Sequence, residues 1–214
     1  MKHTVLTTPR RTGRPLSFDR EEALRQAMLT FWHYGYETAS VADLTAAMGI
    51  SAPSLYTAFG DKKQLFLEAV RLYAGDPEDA GRRIDDAPSA YDAARALMSV
   101  AATAYTGKAT PKGCLLASAT ASGSAASADV QAAVADVRRG IEKRLRVRIE
   151  RDVEDGVLPP TTQPAALAGL VLAVTQGMSV LARDGASRAS LLAMVKAALR
   201  AWPGTEADDH APVK

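Results

Sequence analysis

The chain has 214 residues, 47% of them apolar, 23% charged and 6% aromatic, with a formal net charge of +2. That length supports a real core in one large or two modest domains, and the composition excludes disordered and collagen-like classes. A single cysteine, Cys114, excludes an intrachain disulfide framework, fits a reducing cytoplasm and leaves no CxxC or Cys/His metal pattern.

Alanine is abundant, while β-branched and aromatic residues are thin, so the expected fold class is all-α. Charge is unevenly placed. Residues 1–75 hold nine Lys/Arg against seven Asp/Glu, and residues 76–214 hold seventeen of each. The excess therefore lies in the first third. There Lys2, Arg10, Arg11 and Arg14 meet no acid before Asp19. A basic arm, 1–17, on a balanced body points to a polyanion partner. The arm lacks an apolar h-region and does not read as a signal peptide.

Asp19 with Glu22 reads as a capping box, and Leu24, Ala27, Met28, Phe31 and Trp32 follow at helical spacing to Gly35. Ser40 with Asp43 starts a second helix, which Gly49 ends. Ser51 caps a third with Pro53 in its first turn, and Gly60 stops it. Asp61 with Gln64 starts a fourth, running to Gly75. Two short helices joined by a tight glycine turn cannot form a core alone. The first helix must supply the third side, which is the helix-turn-helix pattern.

"GDPEDAGRRIDDAP", 75–88, reads as a polar break and a domain boundary. A helix follows to about Gly107, then a short one near 114–120 and a Gly/Ser-rich break. A long helix runs from Asp129 to about Asp155. Two more, about 163–183 and 187–202, precede a tail, 204–214, that reads as disordered. Segment 164–182 is uncharged and near membrane-spanning length, but Thr175, Gln176 and Ser179 interrupt it. A helix apolar all round is otherwise buried on every side, so no membrane partner is expected.

In the third helix, Leu55 and Phe59 can turn inward with Ile50, leaving Ser51, Ser54, Thr57 and Tyr56 outward. Hydroxyls and exposed N–H groups at a helix N-terminus suit phosphates and base edges. Lys62 and Lys63 open the next helix, where their charge opposes the dipole. A nearby phosphate would account for both; solvation is the plainer alternative.

The run "ALRQAMLTFWHYGYETASVADLTAAMGISAPSLYTAFGDKKQLFLEAV" resembles the N-terminal domain of TetR-type (tetracycline-repressor-like) transcriptional regulators. The resemblance covers about residues 15–75. It rests on the aromatic-Gly-Tyr junction at Trp32–Tyr36, on Ser40, on the Gly49-Ile50-Ser51 turn and on the run Ser54–Lys62. It implies about nine helices, a helix-turn-helix domain over 18–74 and an effector-binding and dimerisation domain over 75–203. It implies a homodimer on a double-stranded DNA operator, a small-molecule effector, and no cofactor. DNA contacts carry over to Ser40, Ser51, Pro53, Ser54, Tyr56 and Lys62, with Thr57 on the same face. Arg10, Arg11 and Arg14 resemble arms that enter the minor groove. Thr57 and Ala58 depart from the family's usual aromatic and histidine, which leaves the operator sequence open.

The resemblance also places a two-fold interface on the last two helices. The small-xxx-small spacing of Gly169, Ala173 and Gly177 permits close approach there, and Leu170, Val174 and Leu181 supply apolar area. In the helix over 89–106, Tyr91, Met98 and Tyr105 recur every seven residues and fall nearly in line. They suit an apolar ligand with one or two polar handles, or are simply core. Gln176 and Met178 are candidate opposite walls. Cys114 reads as a buried small residue or ligand contact, or alternatively as a redox switch beside Lys108 and Lys112. His3, His33 and His210 are too scattered for a triad or metal site, so an enzyme or carrier is the weaker alternative.

Overall fold

A computed structural model describes residues 18–118 and 127–203. They form ten helices: α1 Arg20–Tyr34, α2 Val41–Met48, α3 Ala52–Phe59, α4 Lys62–Ala74, α5 Pro77–Asp85, α6 Ala90–Tyr105, α7 Leu115–Ser118, α8 Ala128–Glu154, α9 Pro164–Arg183 and α10 Arg188–Leu199. The arm and the tail lie outside the described residues, as does most of the Gly/Ser-rich break.

The first four helices start where their caps dictate. The Asp19 carboxylate accepts from the N–H groups of Glu21 and Glu22, Ser51 from that of Ser54, and Asp61 from that of Gln64. Only α2 of these four closes a reciprocal box, through Ser40 and Asp43. The box expected at Asp19 forms one half, because the Glu22 carboxylate turns instead to Arg25 and Gln26. Gly49 ends α2 in the left-handed conformation at φ 65°, where a β-carbon would be strained.

Phe31, Leu44, Leu55, Phe59, Leu65 and Phe66 make the core of this head. Phe31 stands edge-on to Phe66 with ring centroids 5.0 Å apart. Burying each such side chain contributes about 1.5–3 kcal/mol, and this is what holds α3, only two turns long, in place. Arg20 adds a cross-brace. Its guanidinium lies over the Phe59 ring at 4.4 Å, donates to the Ala58 carbonyl at 3.2 Å and pairs with Glu68 at 2.8 Å.

Segment 75–88 is not a break. Asp76 caps α5, and Pro77 occupies the first turn, where its missing N–H costs nothing. Gly81 sits inside α5 because the Arg144 guanidinium passes where its β-carbon would be. Arg144 then pairs with Glu78 at 2.9 Å. The reading as a break followed Gly and Pro as punctuation, but here one starts the helix and the other admits a neighbour. The last helix also ends at Leu199, short of the expected 202.

In the body, α6 packs on α8, α9 and α10, and α5 bridges α6 and α8. Arg148 and Asp152, one turn apart on α8, form a buried ion pair. Asp152 also accepts from the N–H of Ala90 at 2.6 Å, and Arg148 donates to the carbonyls of Ala87 and Pro88 at 3.1 and 3.0 Å. This pair fixes the α5–α6 turn to the middle of the bundle. Lys63 pairs with Asp129 at the start of α8, on the surface. Its place at a helix N-terminus thus has an intramolecular partner.

Removing one half of a buried pair strands the other charge. Asp152→Ala should therefore cost about 3–5 kcal/mol in urea unfolding. Lys63→Ala, which cuts an exposed pair, should cost no more than about 1 kcal/mol. Equal losses would show that the Arg148 clamp is not structural.

Candidate nucleic-acid interface and interior cavity

The outer surface of the head is built from α3. Leu55 and Phe59 are fully inward, while Ser51, Pro53, Tyr56 and Thr57 are exposed; Tyr56 keeps half of its surface accessible. Ser54 is half-buried, and its hydroxyl lies 2.9 Å from that of Ser51. The Thr57 hydroxyl donates back to the Pro53 carbonyl at 2.8 Å. Ser40 is exposed, but its hydroxyl donates its one proton to the Asp43 carboxylate and accepts from the Asp43 N–H, so it must release Asp43 before it can donate to an anion. Lys62 donates to the Glu37 carbonyl at 3.2 Å and lies 4.8 Å over the Tyr36 ring. Burial pulls its pKa down from the ordinary lysine value, and Glu37 opposes that shift. The ammonium is thus held against the α1–α2 turn, by Tyr36 and Glu37. Arg10, Arg11 and Arg14 lie outside the described residues.

Behind the head, the body forms a partly open cavity of about 640 Å³. Its walls come from α4, α5, α6, α8 and α9, with Trp32 of α1 at one end. From α6 it takes Leu97, Val100, Ala101, Ala104 and Tyr105; from α8, Val137, Ile141 and Leu145; from α9, Val171, Thr175 and Gln176. Cys114 and Tyr73 complete the inner end.

Of the six residues expected at such a cavity, Tyr105, Cys114 and Gln176 border it. Tyr91, Met98 and Met178 do not. Met98 and Met178 are wholly buried core, and Tyr91 stands edge-on to Trp202 at 5.9 Å. The stripe drawn through every seventh residue faces the seam with α9 and α10. The cavity-facing stripe, Leu97–Ala101–Ala104, lies roughly 60–120° further round the helix. Tyr105 reaches the cavity because it sits at the end of α6, beyond that seam. Small alanines carried no obvious signal in the sequence. Trp32 did: two successive aromatics on a helix cannot both face one core, and Phe31 already fills the head.

Trp32 is where head and cavity meet. Its indole N–H donates to the Gly113 carbonyl at 3.2 Å, and its ring stands edge-on to Tyr73 at 4.9 Å. Its own carbonyl accepts from Arg183, at the end of α9, at 2.9 Å. Next to it, the Cys114 N–H donates to the Ser179 hydroxyl at 2.8 Å, and the Gly113 N–H to the Tyr105 carbonyl at 3.0 Å. Helices α1, α4, α6 and α9 therefore converge on two residues, Gly113 and Cys114. The Cys114 thiol is buried, and Lys112, one of the two lysines invoked for a redox thiol, donates to the Thr106 carbonyl at 2.8 Å.

The opposite face of α9 is open. Ala166, Leu170, Ala173, Val180 and Leu181 are exposed, and a β-carbon built at Gly169 or Gly177 would meet nothing within 4 Å. Val174, expected on this face, instead packs against the core. By length and composition α9 is apolar enough to cross a membrane, with a third of its apolar window buried inside the chain.

An exposed, rigidly capped second helix of a helix-turn-helix, backed by an all-helical body with a cavity, defines a DNA-binding transcriptional regulator. Residues 23–69 match the family of bacterial regulatory proteins called tetR, and residues 90–198 match the tetracyclin repressor-like C-terminal domain. The HTH-type transcriptional repressor ComR of Escherichia coli strain K12 is 33% identical over 193 residues, 89% of this chain and 92% of ComR. A cysteine-substituted variant of the TetR family regulator CifR, solved on 26-bp double-strand operator DNA, is 41% identical with a TM-score of 0.83. That likeness covers 89% of this chain and all of CifR. A TetR regulator from Rhodococcus sp. RHA1 is 33% identical with a TM-score of 0.57, over 86% of this chain and 99% of that one. The chain belongs to the TetR family.

Gly113 has φ 78°, and a β-carbon there would come within 2.8 Å of the Ser179 carbonyl and 2.9 Å of the Arg183 side chain. Gly113→Ala should lower stability by about 1–3 kcal/mol in thermal unfolding, through strain and through loss of the Trp32 contact. An alanine variant that melts with the wild type would show that this joint is loose.

Proposed function

We propose that the chain is a repressor that binds a palindromic operator as a homodimer and is released by an apolar or amphipathic small molecule. The observation that carries this reading is the sharing of Trp32 and Tyr73 between the head and the cavity wall. A ligand in the cavity touches residues of α1 and α4, and α4 carries Lys62 at its other end. Release then requires that the ligand bind the non-binding arrangement of the heads more tightly than the binding one. Repression is also the stated role of ComR, and operator DNA is the stated partner of CifR.

Ser51, Pro53, Tyr56 and Thr57 are the proposed groove-facing residues, with Ser54 and Ser40 beside them. Lys62 takes a backbone phosphate, and the arm with Arg10, Arg11 and Arg14 follows the minor groove. One two-turn helix reads few bases. A two-fold pair, spaced by about 34–36 Å or more, reads two half-sites. The open face of α9, with Leu170, Ala173, Gly177 and Leu181, is the proposed contact between the copies. A second chain on that face, rather than lipid, accounts for an uncharged helix whose outer side has no cover. The site of action is then the cytoplasm, with the chromosome.

Two variants test these roles separately. Lys62→Ala should weaken binding to selected and random DNA alike and reduce the salt slope by about 1. An unchanged slope in a salt titration would remove Lys62 from the interface. Leu170→Arg should place an unpaired charge between the copies and give a folded monomer in sedimentation, with operator binding lost. A Leu170→Arg dimer of wild-type strength would move the interface elsewhere.

A further inference from the structure

The inner end of the cavity carries a hydrogen-bonding arrangement that apolar walls do not require. The Tyr73 hydroxyl donates to the Cys114 sulfur at 3.3 Å. Tyr105 lines the same cavity as Tyr73 and Cys114. Two phenols from different helices, α4 and α6, thus share the cavity wall with one thiol. Sulfur is a weak acceptor, so the Tyr73 O–H is not well satisfied. Burial first, and Cys114 second, push both phenols far above the ordinary tyrosine range. Both are therefore neutral donors at any physiological pH. Their alternative partner is whatever enters the cavity.

The remaining surroundings limit what that can be. Leu97, Ala101, Ile141, Leu145 and Val171 offer apolar area, Thr175 and Gln176 are neutral polar groups, and the carboxylates Asp136 and Glu142 disfavour an anion. The two arginines at the wall are engaged: Arg138 donates to the Leu116 carbonyl at 3.0 Å, and Arg144 to Glu78 at 2.9 Å. An anion entering here would have to displace one of them. An uncharged oxygen acceptor displaces only the Cys114 sulfur.

We propose that Tyr73 and Tyr105 form an acceptor subsite for an uncharged, mostly apolar molecule bearing a carbonyl oxygen, which takes both hydroxyls and replaces Cys114 as the partner of Tyr73. The proposal rests on the reading of this cavity as the effector site and gives that site its ligand class. Cys114 is then the stand-in that keeps the Tyr73 phenol partnered in the absence of ligand. The exchange also supplies the coupling, because Tyr73 belongs to α4 and leaves a residue of the joint when it turns to the ligand.

The test compares three probes on the full chain without DNA, by titration calorimetry. Acetophenone is the neutral ketone, cumene its hydrocarbon counterpart and benzoate the anion of similar shape. Acetophenone should bind about tenfold tighter than cumene, and benzoate weaker than acetophenone. Tyr73→Phe and Tyr105→Phe should each remove part of the ketone preference, and the double variant all of it, with cumene affinity unchanged. Cys114→Ser gives Tyr73 a better resident acceptor, so it should weaken acetophenone and leave cumene alone. Equal affinity of wild type for acetophenone and cumene overturns the acceptor subsite while leaving the effector cavity standing. So does a ketone preference that survives in the double variant. Failure of all three probes to bind overturns both.

Discussion

Trp32 reaches from the end of α1 into the cavity wall, and its indole N–H donates to the carbonyl of Gly113. That one contact needs a glycine, because φ 78° and the closeness of Ser179 leave no room for a β-carbon. It also needs Arg183, which holds the Trp32 carbonyl from the far end of α9. The head and the body are each well packed alone. They are related by the packing of α4 on α8 and of α1 and α4 on α7, by this joint, and by the surface pair Lys63–Asp129. A regulator of this kind works only if the heads hold a defined position that something in the body can change. A joint of a few directional bonds next to a cavity is suited to that, since it has discrete arrangements rather than a continuum.

The head itself is built to resist change. Its four helices are short, yet each begins at a side-chain cap and ends at a glycine, and α3 is braced from beneath by Arg20 and Phe59. The outward residues of α3 are therefore presented on a rigid element. Motion has to occur around the head and not within it. This separation lets DNA recognition and ligand recognition be altered by different residues.

The head was legible in the sequence because its signals are local. Caps, stopping glycines and the inward pair Leu55 and Phe59 depend on neighbours in the chain, and the resemblance to TetR regulators lies in the same run. The cavity was legible only in part, because its walls are set by which face of α6 meets α9 and α10. The chain places Tyr91, Met98 and Tyr105 in one line, and nothing local says that this line meets α10 rather than empty space. Leu97, Ala101 and Ala104 are unremarkable residues that become a wall by position. Likewise α5 was hidden, since Gly81 looks like a breaker until Arg144, far along the chain, is seen to occupy its side-chain space. The outer face of α9 is apolar and open within the chain, where a helix buried on every side was expected, and Val174 is turned inward by the packing of α9 on the core.

The coupling of cavity to head is the central claim, and binding linkage tests it most directly. Coupling is reciprocal: whatever factor a ligand takes from operator affinity, the operator must take from ligand affinity. The measurement is the affinity of acetophenone for the free protein and for the protein saturated with an operator selected from random DNA. The account predicts weaker binding to the operator complex, by the same factor by which acetophenone weakens the operator. Equal affinity for the two forms would contradict it, because a cavity that cannot sense the operator cannot release it.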